Sequence, residues 1–277
     1  INVANNSVAA TLTVGQSPQG IAGTPDGNFV YVVNLGEDTV SVIDTASNLV
    51  VATVPVGGSP FWIAITPDGA FAYVTNSTDD TVSVIDTATN TVDETISVAG
   101  DPGPIAAAPN GQYVYVRTGV DDTVQVIDTS INMVVATVPV GPTGIFDSFT
   151  DVAVTPDSNF VYVTNEGGNT VSVIDTATNA VVATVAVGNF PFGVDITPDG
   201  AFAYVTNAVD DNVSIIEIAS NTVVGTVGVG DNPIGLAIVE VPQPPPSIQD
   251  FAYVANSGED TVSVIDTSTN EVVATVD

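Results

Sequence analysis

The chain has 277 residues, 32 of them acidic and one basic, Arg117, with no His, Cys or Lys and a formal net charge of −31. That charge excludes nucleic acids and anionic membrane surfaces as partners, because both are bound through several Lys and Arg side chains. The absence of Cys, His and Lys excludes thiolate metal sites, disulfides, imidazole-based metal sites and every triad or Schiff-base mechanism.

In chain order, the first predicted element is SVAATLTV (7–14), an apolar strand with no partner in its own segment. The chain opens at Ile1 rather than Met, which reads as a mature or trimmed product. From residue 16 onward a pattern repeats. The pairs Tyr31-Val32, Tyr73-Val74, Tyr115-Val116, Tyr162-Val163, Tyr204-Val205 and Tyr253-Val254 recur at a period of about 42, with two insertions. The units are 16–57, 58–99, 100–141, 142–188, 189–230 and 231–277, and residues 1–15 form a spare outer strand.

Unit 58–99 shows the grammar. PFWIAIT (60–66) is apolar and ends at the turn Pro67-Asp68-Gly69. FAYVTN (71–76), TVSVID (81–86) and TVDETISV (91–98) follow, separated by STDD and TATN. Alternation at period 2 with β-branched enrichment predicts four antiparallel strands, called a to d. Both sides of the alternation are apolar, so each sheet must be covered on both faces. A ring of sheets does this and leaves only short edges.

Unit 100–141 carries Arg117 in place of the Thr of YVTN, close to Asp121-Asp122, and an ion pair is expected there. Unit 142–188 contains the long loop GPTGIFDSFTD (141–151). Its b–c turn has Glu166 before Gly167-Gly168-Asn169, where other units carry the acidic pairs Glu37-Asp38, Asp79-Asp80, Asp121-Asp122, Asp210-Asp211 and Glu259-Asp260. In unit 189–230, Asp195 stands in strand a where Ala22, Ala64, Ala106, Ala153 and Ala237 stand elsewhere. Asp151, one unit earlier, takes the place of Gly20, Gly193 and Gly235. Unit 231–277 is interrupted by a Pro-rich insertion (240–250), read as a stiff surface loop or a docking segment.

YVTN followed by TVSVIDTATN, VVATVPVG and P-x-G-I-A-x-T-P-D-G resembles the YVTN-type β-propeller repeats of surface-layer proteins. The resemblance implies an all-β propeller of four-stranded antiparallel blades in an extracellular or cell-surface setting. Six blades are favoured, with seven the alternative, in a single domain over 1–277. The surplus N-terminal strand competes with EVVATV (271–276) for the outer edge of one blade.

In a four-stranded meander the b–c and d–a turns share one face, and the a–b and c–d turns the other. The Asp residues of PDG and VIDT turns, all on the second face, are expected to be structural. The first face collects Phe61, Trp62, Phe146, Phe149, Phe190 and Phe192 beside the acidic pairs, a combination suited to a glycan or a protein partner. Asp151 and Asp195, with Asp79, Asp80, Asp121 and Asp122, are the candidates for a divalent cation such as Ca²⁺. The expectation is a non-enzymatic surface scaffold or binding propeller. The alternatives are a unit that self-assembles through its terminal strand, or a carboxylate-only, Ca²⁺-dependent lactonase-like hydrolase. Asn5, Asn76 and Asn212 lie in N-x-S/T sequons.

Overall fold

Every unit of the repeat becomes one four-stranded antiparallel sheet with strands in chain order. The computed structural model describes residues 10–144, 150–242 and 248–276. The fold is an all-β propeller of six blades, which fall into two compact units, Ile1–Thr137 and Val138–Asp277.

In the first unit, blade one is β1 (Pro18–Gly23), β2 (Phe29–Asn34), β3 (Thr39–Asp44) and β4 (Leu49–Pro55). Blade two is β5 (Pro60–Ile65), β6 (Phe71–Asn76), β7 (Thr81–Asp86) and β8 (Thr91–Ser97). Blade three is β9 (Pro102–Ala107), β10 (Tyr113–Thr118), β11 (Thr123–Asp128) and β12 (Met133–Pro139). In the second unit, blade four is β13 (Val152–Val154), β14 (Phe160–Asn165), β15 (Thr170–Asp175) and β16 (Ala180–Ala186). Blade five is β17 (Pro191–Ile196), β18 (Phe202–Asn207), β19 (Asn212–Glu217) and β20 (Thr222–Gly228). Blade six is β21 (Pro233–Pro242), β22 (Ile248–Asn256), β23 (Thr261–Asp266) and β24 (Glu271–Val276). The only helical element among the described residues is a 3-10 turn, Glu166–Gly168. No described helix is long and apolar enough to cross a membrane.

The C-terminal strand β24 takes the outer edge of blade six. Of the spare strand, residues 1–9 lie outside the described set, and residues 10–14 form no strand.

The two-sided burial expected from the alternation is present. Tyr31, Val33, Val40 and Val42 of blade one pack with Ile63, Ala72, Val74 and Ile85 of blade two. Tyr162, Val171 and Val173 of blade four pack in the same way with Val194, Ala203 and Val205 of blade five. First strands of neighbouring blades run close together. A Cβ on Gly20 of β1 would lie 2.7 Å from the carbonyl oxygen of Phe61 on β5, and one on Gly193 of β17 would lie 2.7 Å from that of Ile234 on β21.

Three polar devices explain the repeated letters. The Asn that ends YVTN is fully buried and donates through Nδ2 to two hydroxyls of strand c, Thr81 at 3.0 Å and Ser83 at 2.9 Å for Asn76. It presses against the Gly that follows strand d, so a Cβ on Gly57 would meet Asn76 Cγ at 2.7 Å. Because Asn76 is buried, its sequon offers no glycan acceptor. The core Tyr hydroxyls donate to the Asn of the next blade's c–d turn, Tyr31 to Asn90 and Tyr162 to Asn221, both at 2.7 Å. Those Asn residues adopt the left-handed conformation (Asn90 φ 54°, Asn221 φ 52°), which Asn tolerates better than most residues. The PDG and VIDT carboxylates cap their own turns, as Asp68 does with Thr66 Oγ1 at 2.6 Å and Asp86 with the Thr89 N–H at 2.9 Å.

Candidate functional site

The acidic pairs are built into the fold. The second member of each pair sits in the left-handed region, from Asp38 (φ 53°) to Asp260 (φ 57°). In blades one, two and five its side chain accepts a backbone N–H from the next blade's d–a turn. Asp38 takes Ser59, Asp80 takes Asp101 and Asp211 takes Asn232, each at 2.9 Å. The first member faces back. Asp79 accepts Gly58 and Asp210 accepts Asn189, both at 2.7 Å. The acidic turns of blades one, two and five are therefore cross-blade staples made to backbone N–H groups. Asp121 is exposed, and Asp122 forms the expected ion pair with Arg117 at 3.6 Å, the guanidinium being buried. Among the described residues no group of three or more acidic side chains is placed to hold a metal ion.

In blade four, Asn169 does the work of Asp80 without the charge. It adopts φ 52° and accepts the Phe190 N–H at 3.1 Å. Pro142, Thr143 and Gly144 pack against the Gly pair, with Gly167 N–H donating to the Thr143 carbonyl at 2.8 Å. Glu166 is buried there.

In the second unit Asp195 lies on β17 and Asp151 immediately precedes β13, and both serve the adjacent blade. Asp151 Oδ1 accepts its neighbour Val152 N–H at 2.8 Å, and Oδ2 accepts Val194 N–H from blade five at 3.2 Å. Asp195 accepts Ile196 N–H at 2.8 Å and Ile238 N–H from blade six at 2.7 Å. Asp151 keeps a narrow contact with solvent, yet protein atoms crowd its carboxyl. That desolvation pushes its pKa up to about 7 against the pull of its two N–H donors, with the Asp195 charge adding to the rise. Asp195 is raised for the same leading reason, desolvation.

The aromatic candidates separate. Phe61 and Trp62 lie on β5 with ring centroids 6.2 Å apart, and Trp62 packs on the core between blades two and three. Phe146 and Phe149 lie outside the described residues. Phe190 and Phe192 line one cleft of about 300 Å³ between blades five and six, with Ala208, Val209, Asn232, Ile234 and Ser257. Val209 is 60% exposed at its rim.

Phe190 is in an unusual state. Its φ is 56°. The equivalent left-handed positions hold Ser17, Ser59, Asp101 and Asn232, whose short polar side chains suit that conformation. A bulky aromatic residue there is strained, and two bonds hold it. Its N–H goes to Asn169, and its carbonyl accepts Ala208 N–H at 3.0 Å. Sequence reasoning marked the ring but missed the strain; the register of the d–a turns, read against the other blades, carries that signal.

A family model described as "Lactonase, 7-bladed beta-propeller" matches residues 15–102 and 60–228. No curated protein sequence matches the chain. Among solved structures, a functionally unknown protein from Desulfotomaculum acetoxidans DSM 771 is similar with a TM-score of 0.78 and 22% identity, over 96% of this chain and 87% of that one. Kuenenia stuttgartiensis hydrazine synthase is similar with a TM-score of 0.60 and 20% identity, over 95% of this chain and 99% of that one. At these identities the two structures show the fold alone. The family match overturns the expectation of a protein without enzymatic activity, because it points toward a hydrolase. That expectation rested on the missing His, Cys and Lys, which exclude only the mechanisms that need them.

Proposed function

Because the chain belongs to the family described as lactonase-type, seven-bladed β-propellers, we propose that it recognises a ligand on the face built from its b–c and d–a turns, in the cleft of Phe190 and Phe192. The observation that carries this reading is the strained Phe190. Unfavourable backbone conformations cost about 1–3 kcal/mol and persist where the surroundings over-determine them, typically at functional sites. Here the strain sets an aromatic wall beside Phe192 and Ile234, with Asn232 and Ser257 as the polar groups of the same cleft. A volume of about 300 Å³ suits a compact ligand with an apolar or aromatic body and one or two hydrogen-bonding groups. A free small molecule or an exposed group on a surface glycan or protein would both qualify. The resemblance to surface-layer repeats supports an extracellular setting.

The test is ligand-observed NMR with a library of aromatic and aliphatic fragments, comparing the parent with Phe190→Asn. Several fragments should bind the parent and lose binding in the variant while the fold stays intact. A parent that binds none, or a variant that keeps the same hits, sinks the reading.

A second reading, hydrolysis, is favoured by the family match together with Asp151. A carboxyl with a pKa of about 7 is partly ionised at neutral pH, as a general base must be, and the chain has no His to serve instead. Asp151 would take a proton from an attacking water. Activity on a panel of lactones and esters, lost in Asp151→Asn, would support this; an inactive parent or an unaffected variant removes it.

A further inference from the structure

Blade six breaks the repeat on the opposite face, that of the a–b and c–d turns. In blade one Thr45 N–H donates to the carbonyl of Asn28, in blade two Thr87 to Ala70, in blade three Thr129 to Gln112, and in blade four Thr176 to Asn159. In blade six Thr267 N–H donates to Asp250. Asp250 therefore stands in a register position that other blades fill with a neutral residue, and Gln249 stands where Gly27, Gly69 and Gly111 stand. The cause is the longer hairpin. β21 and β22 span 10 and 9 residues, where other first and second strands mostly span 6.

The lengthened hairpin makes one wall of a cleft of about 510 Å³, within the second unit. The opposite wall is the Thr197–Phe202 turn of blade five, and Thr267, Ser268 and Asn270 close the end. Several lining groups are locked. Gln249 Nε2 donates to Asp266 Oδ2, and the Ser268 hydroxyl donates to Asp266 Oδ1 at 2.7 Å. Asn270 Oδ1 accepts the Tyr204 hydroxyl, which leaves its Nδ2 as the group able to serve a ligand. Asp199 holds Thr197 Oγ1 at 2.6 Å and Ala201 N–H at 2.9 Å with one oxygen, Oδ1.

We propose that this cleft binds a neutral sugar ring. Its spare groups are an Asp250 carboxylate, Asp199 Oδ2, Gln249 Oε1 and the Asn270 amide, and Phe202 lies among them. Vicinal hydroxyls donate to the carboxylates and accept from the amide, while the C–H face of a pyranose lies against Phe202. The two carboxylates exclude phosphorylated or acidic sugars by repulsion. The usual range for small-molecule sites, roughly 300–1,000 Å³, contains this volume. The site is independent of the Phe190 cleft, which lies on the other face.

The experiment is a neutral-glycan array on the full chain, followed by calorimetric titration of the best mono- and disaccharides. Binding of at least one neutral glycan is expected. It should weaken about tenfold or more in Asp250→Ala and in Gln249→Gly, which restores the Gly of blades one, two, three and five. It should be unchanged in Phe190→Asn and nearly unchanged between low and high salt. No neutral glycan bound overturns the proposal, as does affinity that ignores both hairpin variants. Binding that collapses with salt also overturns it, since hydrogen bonds and ring contacts to a neutral sugar are not screened in that way.

Discussion

Asn169 accepts the backbone N–H of Phe190 at 3.1 Å, and so fills in blade four the post that Asp80 fills for Asp101 in blade two. One staple thereby fixes a residue whose conformation its side chain resists. Phe190→Asn should relieve that resistance and raise stability by about 1 kcal/mol at most, after the loss of ring packing is counted. Urea denaturation measures it. A clear loss of stability would show that the ring is there for packing and not held against its preference.

The staple needs a left-handed residue with a side-chain oxygen, and it does not need charge. Asp80→Asn should therefore leave the melting temperature nearly unchanged. Asp80→Ala should lower stability by about 1 kcal/mol or more, since it loses the bond to Asp101 and keeps a Cβ in the left-handed region without compensation. Equal effects of the two substitutions would mean that the carboxylate charge is what matters.

Gly57→Ala should cost roughly 2–3 kcal/mol, because its methyl would lie 2.7 Å from Cγ of the fully buried Asn76. Gly27, which turns at φ 72° with open space around it, offers the contrast. There the cost of Ala comes from the backbone alone, about 1 kcal/mol. Thermal melts of the two variants side by side check the order.

Asp151 makes stability fall with rising pH. Its folded pKa of about 7 lies above the ordinary 3.8, so the folded chain holds the proton more tightly than the unfolded one. Its contribution is full below about pH 4 and is lost as pH rises through about 7. The turn carboxylates run the other way. Asp26, Asp68 and Asp157 are lowered by Thr hydroxyls and backbone N–H groups, so their contribution is present above about pH 4 and is lost in acid. Asp151→Asn should thus compare better with the parent at pH 8 than at pH 5. Equal differences at both values would refute a carboxyl poised near neutrality.

The blades, their strand order and their turns were legible because a period of about 42 with period-2 alternation leaves few other ways to bury Val and Tyr on both faces. The structural role of the VIDT and PDG carboxylates was legible too, since such turns bind their own backbone. The role of the acidic pairs was not. Asp80 meets Asp101 across a blade boundary, and composition alone makes the pair look like a free acidic rim. Asp151 and Asp195 were marked by breaking a Gly and an Ala column, but their partners, Val194 and Ile238, lie one blade away. The sugar cleft was hidden for the same reason, because Gln249 gains meaning only beside the Phe202 turn.

Each staple joins a b–c turn to a d–a turn one half-repeat away, before or after it in the chain, and a single copy of the segment carries both halves. A duplicated segment is therefore born already fitting its parent, on either side, without any new surface having to be invented. Blade number in such a chain can change by copying or losing one cassette. A founding segment of about 42 residues would be under no pressure to diversify except where, as at Phe190 and Gln249, one copy is released from being like the rest.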